Sequence, residues 1–180
     1  AWHTPMPGAY YAKELRWLES MGRIRDVPYD PRYPVCTAWD LGQNDLNAIW
    51  WFQHDGVRFR WIDYYENAGE TLAHYAGVVE EKRLTRKFLY GHHYGPHDLK
   101  QRVWASHSAV PQTMLDVAKE AGINFTLVPR VSDKEVSIEA ARRCINNSWF
   151  DAEFCKRGVD MLDNYRKTWN KTVGQWTNVP

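Results

Sequence analysis

Between Val35 and Glu66 three apolar runs follow one another with connections too short for a crossover, and no other feature limits the fold as much. The first, Val35-Cys36-Thr37-Ala38-Trp39-Asp40-Leu41-Gly42, is rich in strand-forming residues and ends in a carboxylate and a glycine. It reads as a buried central strand that delivers Asp40 to its rim. The turn cluster Gly42-Gln43-Asn44-Asp45 leads into Leu46 to Gln53, and His54-Asp55-Gly56 leads into Val57 to Glu66. Asp-Gly is a hairpin signal. Strands joined this closely pair antiparallel, because parallel neighbours need a connection of a dozen residues or more.

Thr71 to Leu84 then changes period. Leu72, Tyr75, Ala76 and Val79 recur at the spacing of one helical face, which predicts an amphipathic helix packed on the sheet. A fourth strand is expected around Lys87 to Tyr90, and a connection through a helix allows it to lie parallel to the first. The glycine-bearing loop Tyr94-Gly95-Pro96-His97-Asp98 would then set Asp98 at that strand's C-terminal end, beside Asp40. Further on, Pro111 to Ala121 reads as a helix stopped by Gly122, and Asn124 to Val128 as a fifth strand. A helix capped by Ser132 with Glu135, or by Ser137, is expected to reach about Asn147, and a last helix to run from Asp151 to Trp169. Upstream, Tyr10 to Met21 has helical spacing, and Pro28-Tyr29-Asp30-Pro31-Arg32-Tyr33-Pro34 is stiff and extended. Residues 1–34 therefore read as a connector and residues 35–180 as the domain.

A carboxylate flanked by apolar neighbours needs a proton, a cation or a metal. For Asp40 the alternatives are backbone amides at the Gly42 turn or a metal shared with a second acid. For Asp98 they are a helix N-cap, with Leu99-Lys100-Gln101-Arg102 starting the helix, or the same metal. Asp45 is close enough to Asp40 to support it, though a turn Asp ordinarily serves its own turn. Asp63 interrupts the apolar alternation of Phe59, Trp61 and Tyr65, and an arginine on a neighbouring strand is its expected partner. His92, His93 and His97 lack the ligand spacing of structural zinc, while His97 adjoins Asp98. Lys82-Arg83 with Arg86-Lys87, Arg142-Arg143 and the cations of the last helix read first as solvated faces and second as phosphate contacts.

The order of three antiparallel strands, a helix, two further strands and closing helices, with acids after strands one and four, is that of an α/β ribonuclease H-like domain: a mixed sheet of five or more strands flanked by helices. The runs Gly8-Ala9-Tyr10-Tyr11-Ala12-Lys13-Glu14-Leu15, Gly22-Arg23-Ile24, Val27-Pro28, Thr37-Ala38-Trp39-Asp40-Leu41-Gly42, Ile62-Asp63-Tyr64-Tyr65-Glu66 and Tyr94-Gly95-Pro96-His97-Asp98 make the resemblance specific. Together they resemble the C-terminal nuclease domain of a tailed-bacteriophage terminase large subunit. The resemblance implies a metal-dependent endonuclease that cuts concatemeric double-stranded viral DNA during packaging, in the host cytoplasm. The small subunit and the portal of the packaging motor are its implied partners. It also implies a triad of acids around two Mg²⁺ or Mn²⁺ ions, with Asp40 bridging both and Asp98 anchoring one. The third acid belongs on or before a C-terminal helix beyond Trp169, and no Asp stands between there and Pro180. No GxxxxGK[ST] phosphate loop occurs in the sequence, so residues 1–34 are expected to follow an ATPase domain rather than to contain one.

Composition limits the rival readings. With 23 basic against 22 acidic side chains, the chain lacks the strong positive charge of a self-sufficient DNA binder, and grip on DNA would come from other motor subunits. Three separated cysteines without a CxxC motif read as free thiols in a reducing compartment. An actin-like ATPase or sugar kinase also places Asp-Leu-Gly beside phosphate, but it needs two related lobes, more than 180 residues with 44% hydrophobic content readily supply. A docking module that kept the fold without cutting, and an integrase- or resolvase-type nuclease sharing the metal site, complete the alternatives.

Overall fold

A computed structural model describes residues 8–42, 46–100, 113–170 and 175–177. Asp45, most of its turn cluster and the expected helix start at Pro111 lie outside the described residues. In chain order the elements are α1 (Ala12–Ser20), β1 (Ile24–Arg25), β2 (Val35–Asp40), β3 (Asn47–His54), β4 (Phe59–Asn67), α2 (Leu72–Thr85), β5 (Tyr90–Pro96), a 3-10 turn (His97–Lys100), α3 (Met114–Glu120), β6 (Phe125–Val128), α4 (Lys134–Asn146), β7 (Ser148–Asp151), α5 (Lys156–Asn164), β8 (Thr168–Asn170) and β9 (Gln175–Thr177). Seven of these strands form one mixed sheet in the order β1-β7-β4-β3-β2-β5-β6, and β8 pairs separately with β9.

The meander forms as expected, with β2 antiparallel to β3 and β3 to β4. Its hairpin closes at Asp55-Gly56: Asp55 Oδ1 accepts from the amides of Val57 (3.0 Å) and Arg58 (2.7 Å), and Gly56 sits at φ 96°. That backbone region costs a side-chain-bearing residue dearly. Helix α2 carries the crossover, and β5 returns parallel to β2. The strand is displaced from its expected place, starting at Tyr90 and absorbing the glycine-bearing loop. The glycines are there for closeness: a Cβ on Gly91 would stand 3.0 Å from Pro34 Cβ, and one on Gly95 would stand 2.7 Å from a Leu99 methyl and 2.8 Å from the Phe125 ring.

Alternation along the strands gives the sheet two apolar faces. Val35, Trp39, Ile49 and Trp51 point to the side covered by Tyr75, Val79, Met114 and Ala118 of α2 and α3. Trp50, Trp61 and Phe150 point to the other side, under Leu15, Leu18, Ile138, Ile145 and Val159 of α1, α4 and α5. Burying a side chain of this size contributes about 1.5–3 kcal/mol.

The C-terminal third departs from expectation. Between the two expected helices runs β7, which pairs parallel with both β1 and β4, and the last helix, expected over Asp151 to Trp169, is the shorter α5, Lys156–Asn164. The α4 cap is Asp133, whose side chain accepts from the Glu135 amide, in place of Ser132 or Ser137. Residues 8–34, expected as a connector, are packed against the rest of the chain: Tyr10, Tyr11, Leu15 and Leu18 are buried, and the Val27 amide donates to Asp151 Oδ2 at 3.0 Å. Gln53, fully buried, ties down the proline-rich segment by accepting from the Asp30 amide and donating to the Asp30 and Tyr33 carbonyls. Among the described residues, no helix is long and apolar enough to cross a membrane.

Candidate functional site

Asp40 is the last residue of β2, and Asp98 is the second residue of the 3-10 turn that follows β5 without a break. The two strands are parallel neighbours with Ala38 opposite Tyr94, so both acids lie at the same, C-terminal edge of the sheet. Strands about 4.8 Å apart and a 3-10 rise of about 2 Å per residue put the two backbones within roughly 10 Å of each other. Asp98 is half-buried beside Leu99, which anchors the turn in the core. Asp40 is exposed, contrary to its expected apolar enclosure: its neighbours Trp39 and Leu41 are buried, while Asp40 emerges beyond the edge of the core. Burial alone therefore does not force a cation on it.

The register adds residues to this edge that the sequence did not single out. Asp40 pairs with Ala48, and Ala48 pairs with Glu66, so the three form one row across β2, β3 and β4. In the next row stand Ala38, Trp50 and Tyr64. Glu66 is met from within its own strand and from α5: Tyr64 Oη donates to Oε2 at 2.5 Å, and Arg157 Nε donates to Oε1 at 2.6 Å. Burial first, and then the bond to Glu66, push the Tyr64 hydroxyl far above the ordinary phenol range, and the charge of Asp40 acts in the same direction. The Tyr165 pKa is also raised, by burial first, then by Tyr10 and Asp40. Tyr64 and Glu66 at i and i+2 of a strand, counted back from the Asp-Gly hairpin, were a sequence signal for this row; the approach of Arg157 from α5 was not visible.

Asp63 is a structural acid. Only 2% exposed, it receives Lys82 Nζ and Arg86 Nη1 on Oδ2, each at 2.7 Å, and the Tyr64 amide on Oδ1. The partners come from α2 and its C-cap, where a strand arginine was expected. Asp63 faces the helix that crosses behind the meander, and two of the basic residues read as a solvated face serve to neutralise it. His93 is taken up in the seam between β2 and β5. Trp39 Nε1 donates to Thr37 Oγ1 at 2.6 Å, and the same hydroxyl shares a hydrogen bond of 2.7 Å with His93 Nδ1, its direction set by the tautomer of the ring. His92 lies against Thr126, and His97 opens the 3-10 turn beside Asp98. The three cysteines are free.

Two carboxylates at neighbouring strand ends present hard oxygen donors, the kind Mg²⁺ and Mn²⁺ prefer. Mg²⁺ commonly uses one or two protein carboxylates and leaves its other positions to water and phosphate. Asp40 and Asp98 fit that use. Among the described residues no group of three or more His, Cys, Asp or Glu side chains is gathered as a metal cage.

No protein-family model and no curated protein sequence matches the chain. Solved structures do. A large terminase from a thermophilic bacteriophage superposes with a TM-score of 0.62 at 12% identity over 94% of this chain. The chain spans 40% of that protein's length. The large terminase nuclease of the thermophilic phage G20c with bound magnesium gives a TM-score of 0.57 at 20% identity, covering 96% of this chain and 88% of that one. The P22 large terminase nuclease domain gives 0.57 at 14% identity, covering 88% and 80%. At these identities the likeness is one of fold: the mixed sheet and its flanking helices are arranged as in the ribonuclease H-like nuclease domains of large terminases.

Proposed function

We propose that this chain is the nuclease domain of a viral DNA-packaging terminase and cuts concatemeric double-stranded DNA by metal-assisted phosphodiester hydrolysis. One observation carries the reading: in a sheet with the terminase-nuclease fold, Asp40 at the end of β2 and Asp98 just past the end of its parallel neighbour β5 lie at the same edge. A similar G20c nuclease has been solved with magnesium and with cobalt, which supports use of a divalent metal. The motor around the domain, with its ATPase, small subunit and portal, belongs to the same proposal.

Hydrolysis of a phosphodiester needs a water aligned for attack and stabilisation of the departing oxygen. Divalent ions supply both by lowering the pKa of bound water and by neutralising charge on the leaving group. The chain's own part is to place the carboxylates. Asp40, exposed at the rim, can be reached by an incoming phosphate, and Asp98 is fixed by a turn whose Leu99 is fully buried. Small residues at Ala38 and Ala48 keep the floor beside Asp40 low, so that backbone phosphate can approach.

Asp40→Asn tests the assignment with duplex DNA and Mg²⁺ or Mn²⁺. The expected outcome is loss of cleavage with an unchanged melting temperature. Full activity in that variant would sink the proposal. Anomalous scattering from Mn²⁺ between Asp40 and Asp98 is the independent check, and two acids far apart with no metal would contradict it.

A further inference from the structure

Arg157 occupies an unusual position for a surface arginine. It lies in the first turn of α5 with its side chain 63% exposed, while its partner Glu66 is only 10% exposed. The contact uses Nε alone, and among the described residues Glu66 is the only hydrogen-bond partner of this guanidinium. Both Nη groups, four N–H donors, have no hydrogen-bond partner among the described residues. Glu66 is itself braced by Tyr64, and Tyr64 packs on Trp50 with ring centroids 4.5 Å apart. Next to Arg157, Gly158 brings α5 onto the same two rings: a Cβ there would meet Trp50 Cζ2 at 2.6 Å and Tyr64 Cδ2 at 2.7 Å. The guanidinium is therefore fixed at its root and open at its tip.

It also stands on the acid-bearing face. Glu66 is two strands from Asp40 in one row, with only the methyl of Ala48 between them. Two strand spacings are about 10 Å. Backbone phosphates of one DNA strand recur every 3.4 Å or so along the axis, so a phosphate under Arg157 lies within about three nucleotides of one at Asp40.

We infer that Arg157 is a DNA-phosphate contact flanking the cleavage position, with Glu66 and Tyr64 as the positioning residues that aim it. This rests on the nuclease reading above. A fork of N–H donors suits phosphate oxygens, and pre-orientation by a largely buried carboxylate reduces the side-chain entropy lost on binding. The contact is to a phosphate that does not react, so it strengthens substrate and transition state alike.

The test is binding of a fluorescein-labelled duplex in EDTA, by anisotropy, between about 50 and 200 mM salt, alongside steady-state cleavage in Mg²⁺. Arg157→Gln should make the slope of log K against log salt shallower by about one and raise KM several-fold with little change in kcat. Arg83→Gln, on α2 across the sheet from α5 and paired with Glu80, should change neither. Glu66→Gln separates aiming from simple charge. Deleting an acid near DNA would tighten binding if Glu66 merely repelled phosphate, whereas loss of aim weakens it and raises KM. An unchanged salt slope in Arg157→Gln, or tighter binding by Glu66→Gln, overturns the inference while wild-type cleavage leaves the nuclease reading standing. A wild-type chain that neither binds nor cuts duplex DNA overturns both.

Discussion

Gly158 and Trp50 are so close that a single added methyl on the glycine would stand 2.6 Å from Cζ2 of the indole. Alanine there must either displace α5 or turn Trp50 away from Tyr64, Trp61 and Phe150, the rings it packs against. Overpacking of this kind costs about 1–3 kcal/mol. Gly158→Ala should lower the denaturant midpoint accordingly, with tryptophan emission shifted because Trp50 is reoriented.

A second expectation concerns Gly95, whose missing Cβ admits both Leu99 and the Phe125 ring. The 3-10 turn carrying Asp98 depends on that fit. Gly95→Ala should move the turn more than it unfolds the sheet, and a misplacement of about 1 Å at a reacting centre can cost about 100-fold in rate. Cleavage lost to that degree with a melting temperature lowered by only a few degrees would bear this out; wild-type activity would show that Asp98 is not positioned through Gly95.

Asp63 provides a purely structural prediction. Lys82 and Arg86 converge on one oxygen of a carboxylate that is almost entirely buried. Asp63→Asn keeps the shape and removes the charge both cations need. Breaking a buried pair from one side costs about 3–5 kcal/mol. The loss should appear in equilibrium unfolding, and the folded fraction of the variant should bind DNA as the wild type does.

The fourth prediction is a pH dependence. Burial first, then the neighbouring His92, lowers the His93 pKa from 6.5. A group that binds protons less readily when folded makes a contribution that is complete above pH 6.5 and drains as pH falls through its folded value. A protonated ring can only donate from Nδ1 to the Thr37 hydroxyl. Asp30, pulled down to about 2 chiefly by its hydrogen bond from Arg32, loses its share only in the acid range below the ordinary carboxylate pKa. Between pH 7 and the carboxylate range, wild-type stability should therefore decline more steeply than that of His93→Gln; parallel curves would remove His93 from the account.

The meander and α2 were legible because their signals are local: an Asp-Gly turn, alternation along three runs, and one helical stripe of Leu72, Tyr75, Ala76 and Val79. The placement of Asp40 and Asp98 at one edge followed from strand order alone. What escaped depended on distant partners. Ile24–Arg25 and Ser148–Asp151 are too short to show a period, and they become strands only by pairing with each other and with β4. Gly95 read as loop because glycine weakens a strand, whereas here it lets neighbours approach. The exposure of Asp40 was misjudged because residues adjacent in sequence point to opposite faces of a strand.

The pairing of β1 with β7 also bears on how the chain comes to be folded. The bond from the Val27 amide to Asp151 joins residues 124 positions apart. Closing so long a loop exacts its entropy before any contact returns it, and high contact order of this kind slows folding. During synthesis the meander can assemble while the far margin of the sheet has no partner. The N-terminal helix and its two-residue strand then wait, apolar faces uncovered, until the segment around Phe150 has emerged from the ribosome. Residues 12–25, made before the meander, are among the last to be secured.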